Sequence, residues 1–373
     1  MATLDIAMPL ALLGVSAVAL LMNERTERKL KTTFEERELR TRDVVMLVAM
    51  IVVVVSIIGY ISIIDPGQIF QNIILLVFLF SYSMLLFVFS YLFSDMKQRR
   101  AQLFSLGFAV AGFIAGAISL LEPFADDLTL FRALGFFGLA VFAFASMIFD
   151  MKRVEARERW YVAVQPPALF ILLFTFFSVA YNGDAIIWYP ILMDIFGLTF
   201  AILIILYLGS MFTWKTVSVF AVLLTIIDII LVIGTGTMVD AADTFRGLGL
   251  PVLVYLPNVP FISVPVNYTG LTFFGYVPRG LGLGDFFFAG ILALQTCKKF
   301  GKKTAYISII AMTVAFAIWE AFLPEILAVL DSLVGREIGG FPGTLMIICG
   351  WVPVVAWQLI ATRNRPNVQQ SDV

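Results

Sequence analysis

Long apolar segments separated by short polar stretches follow one another along the whole chain. Eleven segments are long enough, or nearly so, to cross a hydrocarbon core of about 30 Å. A helix satisfies all backbone hydrogen bonds within such a segment. The pattern therefore predicts an all-α polytopic integral membrane protein with about 9–11 transmembrane helices. The predicted spans are 4–22, 44–64, 69–93, 102–121, 128–149, 161–181, 186–212, 216–238, 272–297, 304–330 and 339–360.

Composition and charge agree with a membrane protein and set its orientation. Hydrophobic residues make up 61% of the chain, charged residues 14%, and the mean hydropathy is +0.97. Such values lie outside the range of soluble domains, so lipid is the expected environment and no nucleic-acid partner is implied. On alternate sides of the predicted spans, 21 of the 25 Lys and Arg residues fall on one side. The positive-inside rule then predicts an amino terminus outside and a carboxyl terminus in the cytoplasm.

The residue types available restrict the chemistry. The sequence has no histidine and only two cysteines. This removes HExxH zinc proteases, Ser-His and Cys-His hydrolases, and histidine-ligated haem. No metal ion or organic cofactor is implied, and any hydrolysis must use carboxylates, Lys, Ser or Tyr.

Charged residues inside spans are costly, so the few that occur are candidates for function. Asp228 lies in the middle of one apolar span, and Asp285 follows Gly282-Leu283-Gly284 near the start of the next. Helical projection places each aspartate on a stripe of small and polar residues, which lets two membrane helices approach closely. Two aspartates on facing spans could share one proton and hold a water molecule between them.

Such a pair suits peptide hydrolysis by general acid–base catalysis, in which one carboxylate activates water while the protonated one hydrogen-bonds the scissile carbonyl. The glycines before Asp285 allow irregular backbone and close approach of another chain. Each residue also has an interpretation without a catalytic role. A single GxGD arises by chance in long chains, and Asp228 could instead bond to Thr225 or pair with Arg246 or Arg279. Neither explains both aspartates together.

Two further acids compete with this pair. Asp194 and Glu320 also lie within predicted spans, but each is nearer the outer end of its segment, where an interfacial role is more common.

These residues resemble the presenilin and signal peptide peptidase family of intramembrane aspartyl proteases, and most closely its prokaryotic presenilin-like members. The family pattern has one Asp in mid-span, a long connector, and GxGD opening the next span. Asp228 and Gly282-Leu283-Gly284-Asp285 match it, and the two acids are 57 positions apart in the sequence. The connector's Pro-bounded apolar segment, which includes Leu250 and Pro251, is also similar to the family.

The third motif of the family, Pro-Ala-Leu at the last span, is matched only by Pro342-Gly343-Thr344, and the usual Tyr before the first aspartate is replaced by Ile227. What the resemblance implies is catalysis by Asp228 and Asp285, with the third motif and the segment at 250–251 positioning substrate. The type IV prepilin peptidases also use GxGD, but their motif is followed by lysine two residues later, whereas a run of phenylalanines follows here.

Domain organisation and activity follow as expectations. Residues 1–212 are expected to supply about seven amino-terminal spans. Residues 213–373 are expected to form a presenilin-like catalytic region with a connector at 239–281. The expected activity is cleavage of transmembrane or signal-peptide-like substrates, with the β-branched and aromatic residues of 252–255 or 271–277 holding the substrate as an added strand.

Two other classes stay open at this stage. A proton- or cation-coupled transporter or channel would use intramembrane acids and a broken helix as well. The first 200 residues contain no second copy of the Asp-connector-GxGD arrangement, as an internally repeated transporter would. An accessory membrane subunit without chemistry would leave the glycines and aspartates without a shared reason.

Overall fold

A computed structural model gives the fold of the chain, and nearly all of its regular structure is helical. The residues it describes are 4–33, 38–64, 68–121, 126–151, 159–181, 187–256, 260–262, 280–336 and 338–363. Within these residues, ten helices are long and apolar enough to cross a membrane. The prediction of an all-α polytopic membrane protein is confirmed at this level. The helix α11 (Leu283–Phe300) has 18 residues and carries three charges, and it is not one of these ten, so the predicted span 272–297 is not confirmed.

The chain divides into two compact units. Unit 1 comprises Met1–Asp65, Asp194–Arg246 and Pro251–Val373, and unit 2 comprises Pro66–Met193 and Gly247–Leu250. Unit 1 thus combines the region 213–373, except for Gly247–Leu250, with helices from the amino-terminal half of the chain. The predicted functional boundary at residue 212 stays a prediction.

Unit 2 is built from α3 to α7, with most of its packing between α4 and α5. Glycines at this contact let the backbones approach, since a Cβ on Gly112 would lie 3.0 Å from the carbonyl oxygen of Phe136. The helices of unit 2 are α3 (Gln68–Leu92), α4 (Gln98–Ile118), α5 (Thr129–Met151), α6 (Trp160–Ala163) and α7 (Gln165–Leu173), followed by π-helical turns at Phe174–Ser178 and Trp188–Leu192.

A buried ion pair joins the helix ends of unit 2. Arg159 Nε donates to Asp150 Oδ1 at 2.6 Å, and the Tyr161 hydroxyl donates to the same oxygen at 2.6 Å. Arg159 also donates to the carbonyl oxygen of Met96 at 2.6 Å. Both charged side chains are almost completely buried, so each depends on the other for its charge balance.

Unit 1 holds the remaining helices. On α1, Met8, Leu12, Val15 and Ala19 are buried at helical spacing, and this face packs against α11 and α12. The helices of unit 1 are α1 (Ala7–Thr33), α2 (Thr41–Ile64), α8 (Met193–Met211), α9 (Trp214–Ile229), α10 (Thr237–Gly247), α11, α12 (Lys302–Ala321), α13 (Leu323–Val334) and α14 (Gly343–Arg363).

The predicted span 304–330 is wrong in its extent. The helix α12 ends at Ala321, and α13 begins at Leu323 as a separate helix. The cause is Pro324, which lacks a backbone N–H and is tolerated only in the first turn of a helix. Hydropathy alone does not register that break, because both helices are apolar.

The connector between α9 and α11 contains more regular structure than its sequence indicated. It opens with α10 and then forms two short antiparallel pairings. The strand β2 (Leu253–Val254) pairs with β4 (Leu281–Gly282), and β1 (Leu4–Asp5) pairs with β3 (Pro260–Ile262). Residues 271–277, the alternative strand suggested by the sequence, lie outside the described residues.

Candidate active site

Asp228 lies near the end of α9, which is fixed firmly at its start. Thr213 caps the helix reciprocally with Thr216: Thr216 N donates to Thr213 Oγ1 at 3.3 Å, and Thr213 N donates to Thr216 Oγ1 at 2.9 Å. Ala221 and Thr225 are buried, as the predicted stripe requires, and α9 packs against α2, α11 and α14. Asp228 is thus carried on the packed side of the helix, toward its neighbours.

A π-helical segment, Ile230–Thr235, follows Asp228 and ends at Gly236 in the left-handed conformation, with φ of 79°. Arg336 closes it by donating to the carbonyl oxygens of Ile233 and Thr235 at 2.7 and 3.1 Å. These carbonyls are the unsatisfied acceptors of a helix end. Sequence reasoning missed this contact, because the two partners are about a hundred residues apart and their sequences carry no signal of it.

Asp285 lies in the first turn of α11. The strand β4 runs directly into this helix, with Gly282 as its N-cap residue. Asp285 is the third helical residue and lies in the first turn, where the helix dipole favours an acidic side chain. The spacing in Gly282-Leu283-Gly284-Asp285 therefore has a local structural reason.

The motif Pro342-Gly343-Thr344 meets both aspartates at the start of α14. Thr344 donates to Asp228 Oδ2 twice, from its hydroxyl at 2.6 Å and from its backbone N–H at 3.3 Å. Gly343 lies directly against Asp285, since a Cβ on this glycine would come within 2.5 Å of the carboxyl carbon. The third sequence motif therefore contacts both acids.

The two carboxylates lie close together, because Asp228 is bonded to Thr344 and Asp285 lies against the adjacent Gly343. Each also lies at a helix N-terminus: Asp285 at that of α11, and Asp228 at that of α14. The positive ends of two helix dipoles therefore converge on the pair, which favours negative charge there. None of the described Lys or Arg side chains forms an ion pair with either aspartate. The arrangement can hold one shared proton and one negative charge at neutral pH.

The alternative partners considered for Asp228 are engaged elsewhere. The Thr225 hydroxyl donates to the carbonyl oxygen of Ala221 at 2.8 Å. The Arg246 guanidinium lies over the ring of Tyr255, 5.6 Å from its centroid. Arg279 lies outside the described residues. The structural interpretation of Asp228 as the partner of Thr225 or Arg246 is therefore wrong.

The competing acid Asp194 has a structural partner. Its Oδ1 accepts the backbone N–H of Tyr255 at 2.6 Å, immediately after β2. One helical turn later, Gly197 lies against Val254, where a Cβ would be 3.2 Å from its side chain. Asp194 and Gly197 thus hold the β2–β4 pair against α8. Glu320 is buried near the end of α12.

Leu250 and Pro251 begin the segment that leads into β2, and both side chains are buried. The carbonyl oxygen of Pro251 lies 3.6 Å from a Cβ position on Gly197. This places Pro251 beside the β2–β4 pair. Among the described residues, no group of three Cys, Asp or Glu side chains is arranged to hold a metal ion.

Comparisons with protein-family models, with characterised proteins and with solved structures give no match to this chain. The resemblance to the presenilin and signal peptide peptidase family therefore stays a prediction that depends on the motifs themselves.

Proposed function

We propose that this protein is an intramembrane aspartyl protease of the GxGD type, with Asp228 and Asp285 as its catalytic carboxylates and residues 213–373 as its catalytic region. The observation that carries the proposal is the contact of the adjacent residues Gly343 and Thr344 with the two carboxylates. Three motifs distant in sequence meet at that point. Their meeting supports the function more strongly than any single motif.

The proposed mechanism uses the pair as one unit. One carboxylate takes a proton from water, whose oxygen attacks the scissile carbonyl carbon, while the other carboxyl group gives its proton to the carbonyl oxygen. Collapse of the resulting diol then breaks the C–N bond and returns a proton to the leaving amine. The converging N-termini of α11 and α14 favour the single negative charge that this cycle needs.

The β2–β4 pair supports a way of presenting the substrate. A transmembrane helix hides its carbonyl groups in hydrogen bonds, so a substrate must unwind before attack. An extended segment added to the free edge of β4 would lie only a few residues from Asp285, because β4 leads directly into α11. The proposed substrates are therefore transmembrane or signal-peptide-like segments, delivered from the lipid. Alternate proline substitutions in 252–255 would abolish cleavage and spare expression; intact cleavage would remove this mode.

Cleavage of a generic transmembrane peptide by the detergent-purified protein tests the proposal. We expect cleavage that a transition-state analogue with a hydroxyl at the scissile position inhibits. The matched control is Asp194→Asn, which alters a buried acid outside the pair. If the wild type cleaves nothing, yet carries a proton or cation flux in liposomes that Asp228→Asn and Asp285→Asn both abolish, the chain is a transporter instead.

Orientation belongs to the same proposal. Basic residues predict an amino terminus outside and a carboxyl terminus in the cytoplasm. Tags at the two ends should therefore be accessible from opposite sides of the membrane. Two tags on one side would contradict the predicted orientation.

A further inference from the structure

We infer that Thr344 is a positioning residue that assigns the two catalytic roles, making Asp228 the base that activates water and Asp285 the acid that keeps the shared proton. The inference rests on the proposed function and concerns a residue at which this chain departs from the family pattern. A leucine, which the pattern has at this place, offers no side-chain donor. The Thr344 side chain is 4% exposed and bonded to the candidate active site.

Features common to both acids do not assign the roles. Each carboxylate lies at the N-terminus of a long helix, so the dipoles favour negative charge at both. The difference between them is Thr344, whose hydroxyl lies 2.6 Å and whose backbone nitrogen lies 3.3 Å from Asp228 Oδ2.

The geometry at Asp228 favours its ionised form. Oδ2 faces a backbone N–H, which can only donate, and a hydroxyl that donates to the same oxygen. A carboxylate accepts both bonds, whereas a proton on Oδ2 would oppose the N–H. Bonds to charged groups are the stronger ones. The negative charge therefore settles on Asp228, and Oδ1 is left to receive the proton of the attacking water.

Asp285 then retains the proton by default. Its neighbour on the α14 side is the bare Cα of Gly343, which offers no side-chain donor. During attack its proton moves to the carbonyl oxygen as the new C–O bond forms. When the C–N bond breaks, the proton held by Asp228 goes to the amine, and a hydroxyl proton of the diol returns to Asp285. Water is consumed, and both carboxyl groups regain their starting states.

The test is the pH dependence of peptide cleavage in Thr344→Val, which keeps the branched shape and removes the hydroxyl. Losing a bond to an ionised group is worth about one pH unit, so the acidic limb should move upward by about that amount. The pKa of the alkaline limb should not move, because Asp228 is ionised and bonded to Thr344 both before and after Asp285 loses its proton. KM should stay within about twofold of the wild-type value. Thr344→Ser should restore the wild-type profile.

Thr362→Val on the same helix is the matched control, since this exposed hydroxyl bonds only to its own helix, at the carbonyl oxygen of Gln358. Its profile should equal that of the wild type. If Thr344→Val does not fold, Thr344→Ala carries the same expectation. An unmoved acidic limb in the folded variant, or a shift that Thr344→Ser does not reverse, overturns the role of Thr344. A wild type with no cleavage overturns the proposed function instead.

Discussion

Unit 2 contains a buried carboxylate that is paired with a cation, whereas unit 1 contains two neighbouring carboxylates that are not. In unit 2, Asp150 is matched by the Arg159 guanidinium and the Tyr161 hydroxyl, both 2.6 Å away. In unit 1, Asp228 and Asp285 both lie against the adjacent residues Gly343 and Thr344, and among the described residues no cation pairs with either. A buried pair of opposite charges is neutral and can persist unchanged. Two like charges cannot both stay ionised, so they are ready to exchange a proton.

The contrast suggests a criterion for chemistry inside this chain. Acids with a structural role join helix ends, as Asp150 does near Met96, or hold a strand, as Asp194 does at Tyr255. Asp228 and Asp285 instead face a threonine hydroxyl and a glycine. Clusters of titratable groups without compensating charge are the ones expected to act. Mutations that separate structure from chemistry test this criterion.

The largest effect should come from the couple itself. Asp228→Asn and Asp285→Asn should each lower cleavage by several orders of magnitude, because Asn keeps the shape but cannot exchange a proton. The double variant should be no worse than either single, since the two act as one unit. The wild-type pH profile should be bell-shaped, and both limbs belong to the pair. Peptide cleavage measures all three variants, and substantial activity in either single variant would contradict the pair.

Gly343→Ala should have the next largest effect. A Cβ at this position would come within 2.5 Å of the Asp285 carboxyl carbon, so the carboxyl group must move. Displacements of about 1 Å at a catalytic group cost about a hundredfold, and we expect a loss of this size in kcat. Gly14→Ala is the control, because a Cβ there meets nothing within 4 Å. Equal activity of both variants would show that the contact at Gly343 does not position Asp285.

Breaking the ion pair of unit 2 should lower stability and spare the chemistry. Asp150→Ala leaves the Arg159 charge buried and unpaired, which should cost about 3–5 kcal/mol in the free energy of unfolding. Thermal unfolding in detergent measures this loss, and cleavage per folded molecule should stay within about twofold. A loss of specific activity in Asp150→Ala would contradict the claim that this ion pair affects stability and not cleavage.

The smallest effects should come from the acids outside the pair. Asp194→Asn keeps an oxygen that can accept the Tyr255 N–H, and Glu320→Gln keeps the shape of a buried side chain. Both variants should retain measurable proteolysis, within about tenfold of the wild type. Asp194→Ala should have lower proteolytic activity than Asp194→Asn, because alanine has no oxygen to accept the Tyr255 N–H that anchors β2. Complete loss in Asp194→Asn or Glu320→Gln would mean that the pair has been chosen wrongly.

The sequence by itself determined the class of fold, because the length and hydropathy of a segment decide whether it can cross a membrane as a helix. It also singled out Asp228 and Asp285, since charge inside an apolar span is conspicuous. The start of the predicted span 272–297 was wrong, because β4 occupies Leu281–Gly282 and α11 begins only at Leu283. The break at Pro324 was also visible in principle, but hydropathy hid it.

Only the tertiary structure decided what surrounds the two acids. Thr344 and Asp228 are 116 residues apart, and no local pattern links them. The same holds for the Arg336 bonds to the π-helical segment, and for the fit of Gly343 against Asp285. Local patterns record what one helix requires of its own residues. Which side chains from different helices meet depends on how those helices pack, and this is a property of the whole unit.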